Sequence, residues 1–175
     1  IDKYSCNGER IVVFGLANEQ ITGEAVTKAI TPMAFIILEN EIRETAKETF
    51  EYFKKQGVAI KVISGDNPLT ASKVAIRAGI DDATHYIDAT TLKTDKDIAD
   101  AVQKYTVFGR VIPEQKKKII EAFKMAGNVV AMTGDGVNDV LALKCADCSV
   151  AMASGSEAAS NAAQIVLLEI GRAHV

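Results

Sequence analysis

The chain has 175 residues, of which 48% are hydrophobic and 25% are charged, and its formal net charge is -3. A chain of this length can bury one hydrophobic core, and the small net charge excludes the basic surface typical of proteins that bind nucleic acids. No apolar run approaches the roughly 18 residues of a membrane-spanning helix. The composition predicts one soluble globular domain without a nucleic-acid partner.

The first 40 residues contain two apolar runs, RIVVFGLA from Arg10 and MAFIILE from Met33, separated by a polar loop. Runs of this kind predict extended strands, and their order favours an antiparallel pair that belongs to a neighbouring domain. We place the boundary near residues 33 to 43.

The next segment predicts a helix, a strand and a second helix. EIRETAKETFEYFKKQG has an amphipathic period and ends at Gly57, and VAIKVIS (58 to 64) is short and β-branched. Asn67 is expected to cap a helix whose first residue is Pro68 and which ends at Gly79.

The alternation of strand and helix continues to residue 168. The predicted strands are HYI, TVFGRV, VVAMTG, SVAMA and IVLL, and the predicted helices are DKDIADAVQKY, PEQKKKIIEAFKMAG, NDVLALKCA and SEAASNAAQ. Alternation with short connections predicts a parallel sheet covered on both faces, which is a three-layer α/β fold.

Three cysteines occur, at positions 6, 145 and 148. They are too few and too unevenly spaced for a disulfide framework, which is typical of a reducing compartment. Cys145 and Cys148 form a Cys-x-x-Cys pair at the end of a predicted helix, where no helix N-terminus stabilises a thiolate. We interpret them as small buried thiols rather than as a redox or metal site.

Two predicted strands end in related turns, ISGDNP and MTGDGVND. Ligands of open parallel sheets bind beyond the carboxyl ends of the strands, and free backbone N–H groups before a helix favour an anion. Each turn has a hydroxyl residue, a glycine and an aspartate. The pattern predicts a phosphate site.

The second turn also brings Asp135 close to Asp139. Two carboxylates about 4 Å apart repel by about 4 kcal/mol at an effective dielectric of 20, whereas a helix N-terminus returns only about 0.3 to 1 kcal/mol. A proton or a cation is therefore needed, and the oxygen ligands Asp135, Asn138 and Asp139 beside a phosphate favour Mg²⁺. The alternative is that Asn138 and Asp139 only cap a helix. A dinucleotide site is disfavoured, because Asp139 replaces the third glycine of that fingerprint.

A phosphate site also needs a fixed positive charge, and FGRVIPEQKKK offers Arg110 and three successive lysines, Lys116, Lys117 and Lys118. Successive helical positions point in different directions, so one lysine can face the site while the others are solvated. The residues alone leave open which one does.

The ordered motifs SGDN, FGRVIPEQK and TGDGVND strongly resemble the phosphorylation domain of P-type ATPases, the ion pumps of the haloacid dehalogenase superfamily. The similarity runs from about residue 10 to residue 168 and continues after the acidic turn as VAMASGSEAA. The resemblance implies a Rossmann-like parallel sheet, ATP as substrate and Mg²⁺ as cofactor. It also implies a cytoplasmic domain of an integral membrane protein that moves a cation.

The resemblance assigns a role to each motif residue. Ser64 and Gly65 match the phosphate-binding turn, with serine where the family usually has threonine, and Lys116 matches the lysine that neutralises the phosphoryl group. Asp135 matches the Mg²⁺ ligand, and Asn138 and Asp139 match residues that order the metal and its water. Asp66 and Arg110 match positions that touch the nucleotide. The catalytic set it implies is Lys116, Asp135 and Asp139.

The family's nucleophile motif, Asp-Lys-Thr-Gly-Thr, does not occur in the 175 residues. In the family this aspartate ends the central strand of the sheet. We therefore expect either a gap between the strands at 58 to 64 and 129 to 133 or a closure of the two across it. We also expect marginal stability and no turnover without the N-terminal part of the same polypeptide, which would hold the nucleophile strand, most of the nucleotide-binding domain and membrane helices.

Residues 1 to 33 resemble the last strands of the nucleotide-binding domain, and residues 34 to 168 the C-terminal part of the phosphorylation domain. Residues 169 to 175, EIGRAHV, match a translated sequencing adapter, and we expect them to be a non-native tail. Two further interpretations are a soluble phosphatase of the same superfamily, which also needs an upstream aspartate, and a non-catalytic binding module. The long match after Asp139 and the absence of an initiator methionine favour the pump.

Overall fold

The computed structural model describes residues 10–17, 30–38 and 41–168. Within them the strands are β1 (Arg10–Ala17), β2 (Ile30–Leu38), β3 (Val62–Ile63), β4 (Tyr86–Asp88), β5 (Val107–Gly109), β6 (Ala131–Gly134), β7 (Cys148–Met152) and β8 (Ile165–Leu167). The helices are α1 (Ala46–Lys55), α2 (Pro68–Ala78), α3 (Asp95–Lys104), α4 (Pro113–Met125), α5 (Val140–Cys145) and α6 (Glu157–Ala162). Short 3₁₀ turns cover Ala89–Thr91 and Val137–Asp139. The proposed tail at 169–175 lies outside the described residues.

The two N-terminal strands form an antiparallel pair, as predicted, with a register shift between Phe14 and Gly15. Many of their apolar side chains are exposed, among them Phe14 at 62% and Met33 at 62%. Strand β2 begins at Ile30, three residues before the predicted run from Met33. The predicted boundary near residues 33 to 43 stays a prediction.

Local chemistry explains where the helices begin and end. The Asn67 side chain accepts a hydrogen bond from the Leu69 amide, Pro68 occupies the first turn of α2, and Gly79 ends the helix with a left-handed φ of 88°. Thr94 and Asp97 cap α3 reciprocally. The α1 helix ends as predicted before Gly57, but it begins at Ala46 and none of its residues is fully buried.

The parallel strands form two sheets rather than the single sheet that we predicted. One has the order β3-β5-β4 and the other has the order β6-β7-β8. Strands β3 and β6 therefore lie at sheet edges and are not hydrogen-bonded to each other. This arrangement corresponds to the predicted gap and not to a closure of the two strands.

The first sheet has helices on both faces. Neighbouring residues of β5 point to opposite sides, so that Val107 packs with Ala71 and Ala75 of α2, whereas Phe108 packs with residues of α3 and α4. Both Val107 and Phe108 are fully buried. The three-layer α/β arrangement is thus confirmed for this sheet.

The second sheet packs one face against α4, α5 and α6, with Met132, Leu143 and Ala151 in the shared cluster. Ile63 and Val130 contact both this cluster and the cluster of the first sheet. The two sheets are therefore joined through side chains and through α4, and the carboxyl ends of β3 and β6 carry the two predicted turns. No helix in the described ranges combines the length and the apolar character that crossing a bilayer requires.

Candidate active site

The acidic turn after β6 is organised by an ion pair between Lys116 and Asp139. The Nζ of Lys116 lies 2.6 Å from Oδ1 of Asp139, and each side chain is only 11% exposed. The other carboxylate oxygen of Asp139, Oδ2, accepts a hydrogen bond from the Gly136 amide at 3.1 Å. Both oxygens of Asp139 thus have partners, and the cation that the close carboxylates require is supplied at least in part by Lys116.

Of the three successive lysines, Lys116 alone reaches the acidic turn. Lys117 lies 3.5 Å from Glu121 on the surface of α4, and Lys118 lies 2.6 Å from Asp95, with both lysine side chains about half exposed. The helical rotation between successive residues separates the three directions, as the sequence predicted. Lys116 is also the lysine to which the family resemblance assigns the phosphoryl group, and that role stays a prediction.

Asp135 differs from Asp139 in that its carboxylate has no partner among the residues that the structure describes. The residue is exposed, and in the described part of the chain no hydrogen bond or ion pair involves its side chain. Its backbone is fixed, because its carbonyl oxygen accepts a hydrogen bond from the Ser156 amide at 2.7 Å. The chain therefore presents a free carboxylate on a held backbone, next to a carboxylate that is already neutralised.

The oxygen donors at this turn fit a hard divalent cation. Asp135 supplies two free carboxylate oxygens, and Asn138 is exposed one residue before Asp139. No cluster of three or more His, Cys, Asp or Glu side chains able to hold a metal occurs among the described residues. Mg²⁺ usually keeps several waters and binds through one or two carboxylates plus phosphate oxygens, so a sparse donor set of this kind suits it.

The glycines of the turn permit close approaches. A Cβ atom added at Gly134 would lie 2.6 Å from the Cβ of Asp139, which is closer than real Cβ atoms come. Glycine at 134 therefore allows Asp139 to fold back over the end of β6. The Gly-Asp-Gly pattern indicated a turn at this place. It did not indicate the contact with Asp139 that requires glycine at position 134.

Sequence reasoning assigned no role to Gly155 and Ser156, although both support Asp135. Besides the hydrogen bond from Ser156, a Cβ atom added at Gly155 would lie 2.6 Å from the Asp135 carbonyl oxygen and 2.9 Å from its Cβ. The two residues lie 20 and 21 positions after Asp135 along the chain, in the turn after β7. Their only signal in the sequence is a Gly-Ser pair before a helix, which also fits an ordinary N-cap.

Replacement of Gly155 with alanine is expected to displace Asp135, because the new methyl group meets backbone and cannot move aside. We expect the free energy of unfolding to fall by about 1 to 3 kcal/mol, as for other overpacked sites, and Mg²⁺ affinity to fall with it. Urea unfolding and a Mg²⁺ titration measure the two effects. The exposed neighbour Ser154, replaced with alanine, is the control, and equal behaviour of the two variants would contradict this account of Asp135.

The turn after β3 carries the other predicted site residues. The Ser64 hydroxyl oxygen accepts a hydrogen bond from the Asp66 amide at 3.1 Å, which fixes it at the start of the turn. Gly65 is exposed, and a Cβ atom there would meet only the Val111 carbonyl oxygen at 3.8 Å. The Val111 amide donates to the Ser64 carbonyl oxygen at 3.0 Å. Val111 lies two residues before α4, the helix that carries Lys116, so this turn is linked to the acidic turn through α4.

The two predicted nucleotide-binding residues, Asp66 and Arg110, are in contact. The Arg110 amide donates a hydrogen bond to the Asp66 carbonyl oxygen at 2.7 Å. Arg110 has a positive φ of 53°, which is uncommon for a residue other than glycine. Its side chain turns towards β4, where NH1 lies 2.8 Å from Oδ2 of Asp88.

Cys145 and Cys148 are free thiols of intermediate exposure. Burial, and next the nearby Glu121 carboxylate, raise the pKa of the Cys145 thiol. A raised pKa keeps this thiol protonated at neutral pH, which agrees with the interpretation that it is not a reactive thiolate.

Comparison with known proteins identifies the family of the chain. The family model for haloacid dehalogenase-like hydrolases matches residues 7–147. The chain is 44% identical over 168 residues to the calcium-transporting ATPase CtpE of Mycobacterium tuberculosis, covering 95% of the chain and 21% of the relative. It is 44% identical to the probable cation-transporting ATPase exp7 of Streptococcus pneumoniae over 92% of the chain and 21% of the relative. A magnesium-transporting P-type ATPase of Salmonella typhimurium is 30% identical over 96% of the chain and 19% of the relative.

A solved structure of the catalytic domain of the CPx-ATPase CopB-B, described for conformational changes upon nucleotide binding, aligns with a TM-score of 0.57. It is 28% identical in sequence, and the alignment covers 81% of this chain and 45% of that one.

The chain belongs to the haloacid dehalogenase-like hydrolase family. Within that family it is similar to the catalytic region of P-type cation-transporting ATPases, as its motifs predicted. The chain spans about a fifth of the length of these curated relatives, 21% in the case of the Mycobacterium protein.

Proposed function

We propose that the chain is the C-terminal part of the phosphorylation domain of an ATP-driven cation pump. In the pump, the γ-phosphoryl group of ATP moves to an aspartate and then to water, and this chain supplies the groups that bind the phosphoryl oxygens and Mg²⁺. The observation that carries the proposal is the Lys116–Asp139 ion pair beside the free carboxylate of Asp135.

On the phosphate side, the groups are the Ser64 hydroxyl, the Gly65 amide and the Lys116 ammonium. The Ser64 oxygen accepts from the Asp66 amide, and its hydroxyl donates to Oδ2 of Asp66 at 3.4 Å. In the proposed complex this hydroxyl turns from Asp66 to a phosphoryl oxygen. Lys116 is held at the acidic turn by Asp139, and its ammonium group can offset the charge that develops as the phosphoryl group is transferred. Positioning and charge stabilisation are the main contributions a protein makes to this reaction.

On the metal side, we assign Asp135 as the direct ligand, because its carboxylate, unlike that of Asp139, has no partner among the described residues. Asn138 and Asp139 then hold the water molecules around the ion and the side chain that becomes phosphorylated. Bound Mg²⁺ neutralises phosphoryl oxygens during transfer. ATP is the proposed substrate, with Asp66 and Arg110 at the nucleotide.

The nucleophile is assigned to a strand that lies between β3 and β6. Hydrogen-bonded strands are about 4.8 Å apart, so a single strand inserted there would place its carboxyl end between the Ser64 turn and the Asp135 turn. The chain alone has no carboxylate at that place in the described residues, and it is not expected to turn over. We likewise assign the β1–β2 pair to the end of the nucleotide-binding domain, where neighbouring strands would cover its exposed apolar side chains.

The proposal is tested by phosphorylation of the full-length protein that carries this chain. With γ-labelled ATP and Mg²⁺, we expect a phosphorylated protein that is stable in acid and is released by hydroxylamine, as an acyl phosphate is. Replacement of Lys116 with methionine should abolish the labelled form, whereas replacement of Lys118, with its surface partner, should leave it.

Failure to label under conditions in which the protein hydrolyses small phosphomonoesters would favour the alternative, a phosphatase of the same family. That alternative uses the same lysine and acidic pair but no nucleotide. The names of the relatives mention calcium, magnesium or only a cation, and the proposal therefore extends to a cation without naming it.

A further inference from the structure

Asp88, the last residue of β4, has its carboxylate held on both oxygens. Oδ1 accepts hydrogen bonds from the Thr90 amide at 3.0 Å and from the Thr90 hydroxyl at 2.7 Å, and Oδ2 accepts from NH1 of Arg110 at 2.8 Å. The hydrogen bonds from Thr90, and then the charge of Arg110, hold the pKa of this carboxyl below its usual range. Asp88 is therefore a charged and oriented acceptor at neutral pH.

The segment that carries Asp88 is itself fixed. The following residue, Ala89, is fully buried, and its carbonyl oxygen accepts a hydrogen bond from the Gln115 side chain at 3.0 Å. Gln115 lies in the first turn of α4, next to Lys116. The segment that carries Asp88 is thus hydrogen-bonded to the helix that carries Lys116.

Arg110 is fixed at its backbone by the hydrogen bond to Asp66 and by the left-handed φ of 53°. Its side chain is 51% exposed. The guanidinium of an arginine has five N–H donors. Among the described residues, the Arg110 side chain donates only from NH1, and its acceptor is Asp88. The guanidinium is thus held in place while most of its donors remain available to a ligand.

Exposed ion pairs usually contribute little to stability, because ordering two long side chains offsets the attraction between them. In this pair the carboxylate is already ordered by Thr90 and the arginine backbone by Asp66, so little further ordering is needed. A guanidinium that is ordered before binding loses less conformational entropy when a ligand arrives, so the ligand binds more tightly. The pair is arranged to serve ligand binding.

We propose that Asp88 is a positioning residue of the nucleotide site, which holds the Arg110 guanidinium in the orientation that binds ATP. The proposal rests on the proposed function, since it takes Arg110 to contact the nucleotide. Asp88 itself does not contact the substrate and acts through Arg110.

The test is a double-mutant cycle in the full-length protein, with MgATP as the varied substrate. Asp88→Asn is expected to raise the KM for ATP by about three- to tenfold and to leave kcat unchanged, because the phosphoryl-transfer groups are untouched. Arg110→Ala should raise KM at least as much, and adding Asp88→Asn to it should change nothing further. Thr90→Val, which removes one of the bonds that order Asp88, should give a smaller rise in KM.

Asp95→Asn is the matched control, because it breaks another exposed ion pair, with Lys118 at 2.6 Å, that has no link to Arg110. It should leave both KM and kcat as in the wild type.

The outcomes separate this inference from the proposed function. If Arg110→Ala leaves KM unchanged, the nucleotide role of Arg110 is wrong, and the proposed function loses that contact. If Arg110→Ala raises KM and Asp88→Asn does not, or lowers it, the positioning role of Asp88 is wrong and the role of Arg110 stands. An undiminished effect of Asp88→Asn in the Arg110→Ala protein, or a fall in kcat with unchanged KM, would also overturn the inference.

Discussion

Replacement of Lys116 with methionine is expected to lower the free energy of unfolding of the chain by about 2 to 4 kcal/mol. The change leaves the Asp139 carboxylate buried without its cation, and breaking buried pairs from one side typically costs about 3 to 5 kcal/mol. We expect a loss about 1 kcal/mol smaller than that range, because each side chain is still 11% exposed. Urea unfolding followed by circular dichroism measures the loss.

Two further variants show whether the loss comes from the unpaired charge. Lys118→Met removes a lysine of the same helix whose pair with Asp95 is on the surface, and it should cost less than about 1 kcal/mol. Adding Asp139→Asn to Lys116→Met removes the unpaired charge and should restore much of the lost stability. Equal small losses for Lys116→Met and Lys118→Met would contradict the assignment of Lys116 to a buried pair.

Replacement of Asp135 with asparagine is expected to lower Mg²⁺ affinity by about tenfold or more, because it removes the one free carboxylate at the site. The same change should alter the free energy of unfolding by less than about 0.5 kcal/mol, since the residue is exposed and its side chain has no partner in the described residues. Isothermal titration of the chain with MgCl₂ measures the affinity.

Asp147→Asn is the control for charge, because it removes one negative charge from a residue that binds the Val130 amide and Lys124 instead. Both variants have the same net charge, so long-range attraction of the cation is matched. The metal assignment is wrong if Asp135→Asn binds Mg²⁺ as tightly as Asp147→Asn.

Much of the local structure could be predicted because the signals were local. The cap at Asn67, the proline of the first turn and the left-handed glycines at the ends of α2 and α4 lie where the sequence placed them. The antiparallel order of β1 and β2 and the order of strands and helices to residue 167 were also correct. Each of these features depends on a few neighbouring residues.

The division into two sheets was the main departure. VAIKVIS predicted a strand of seven residues, whereas β3 contains only Val62–Ile63. A strand at a sheet edge has hydrogen bonds on one side only, so fewer of its residues meet the geometry of a strand. An apolar run indicates that its residues are buried. It does not indicate whether another strand lies beside it in the sheet.

The roles of the site residues stay predictions, and the sequence did not predict the contacts among them. Charge reasoning required a proton or a cation near Asp135 and Asp139, and the structure shows the Lys116 ammonium against Asp139. The supports from Gly155, Ser156 and Asp88 were not predicted, because each comes from a turn far along the chain. Contacts of this kind depend on tertiary packing, which no local pattern encodes.

The central claim is that the chain holds two halves of a catalytic centre, separated by the place of one strand. The Val62 amide donates to the carbonyl oxygen of Thr106, just before β5, and the Ser64 amide donates to that of Phe108 in β5, at 2.9 Å each. The amide of Ile63 therefore points the other way, towards the gap. Hydrogen exchange at Ile63, with Val62 and Ser64 as internal references, therefore reports whether a strand fills the gap. We predict fast exchange at Ile63 in the chain alone and protection equal to that of its neighbours in the full-length protein. Fast exchange at Ile63 in both would contradict the account.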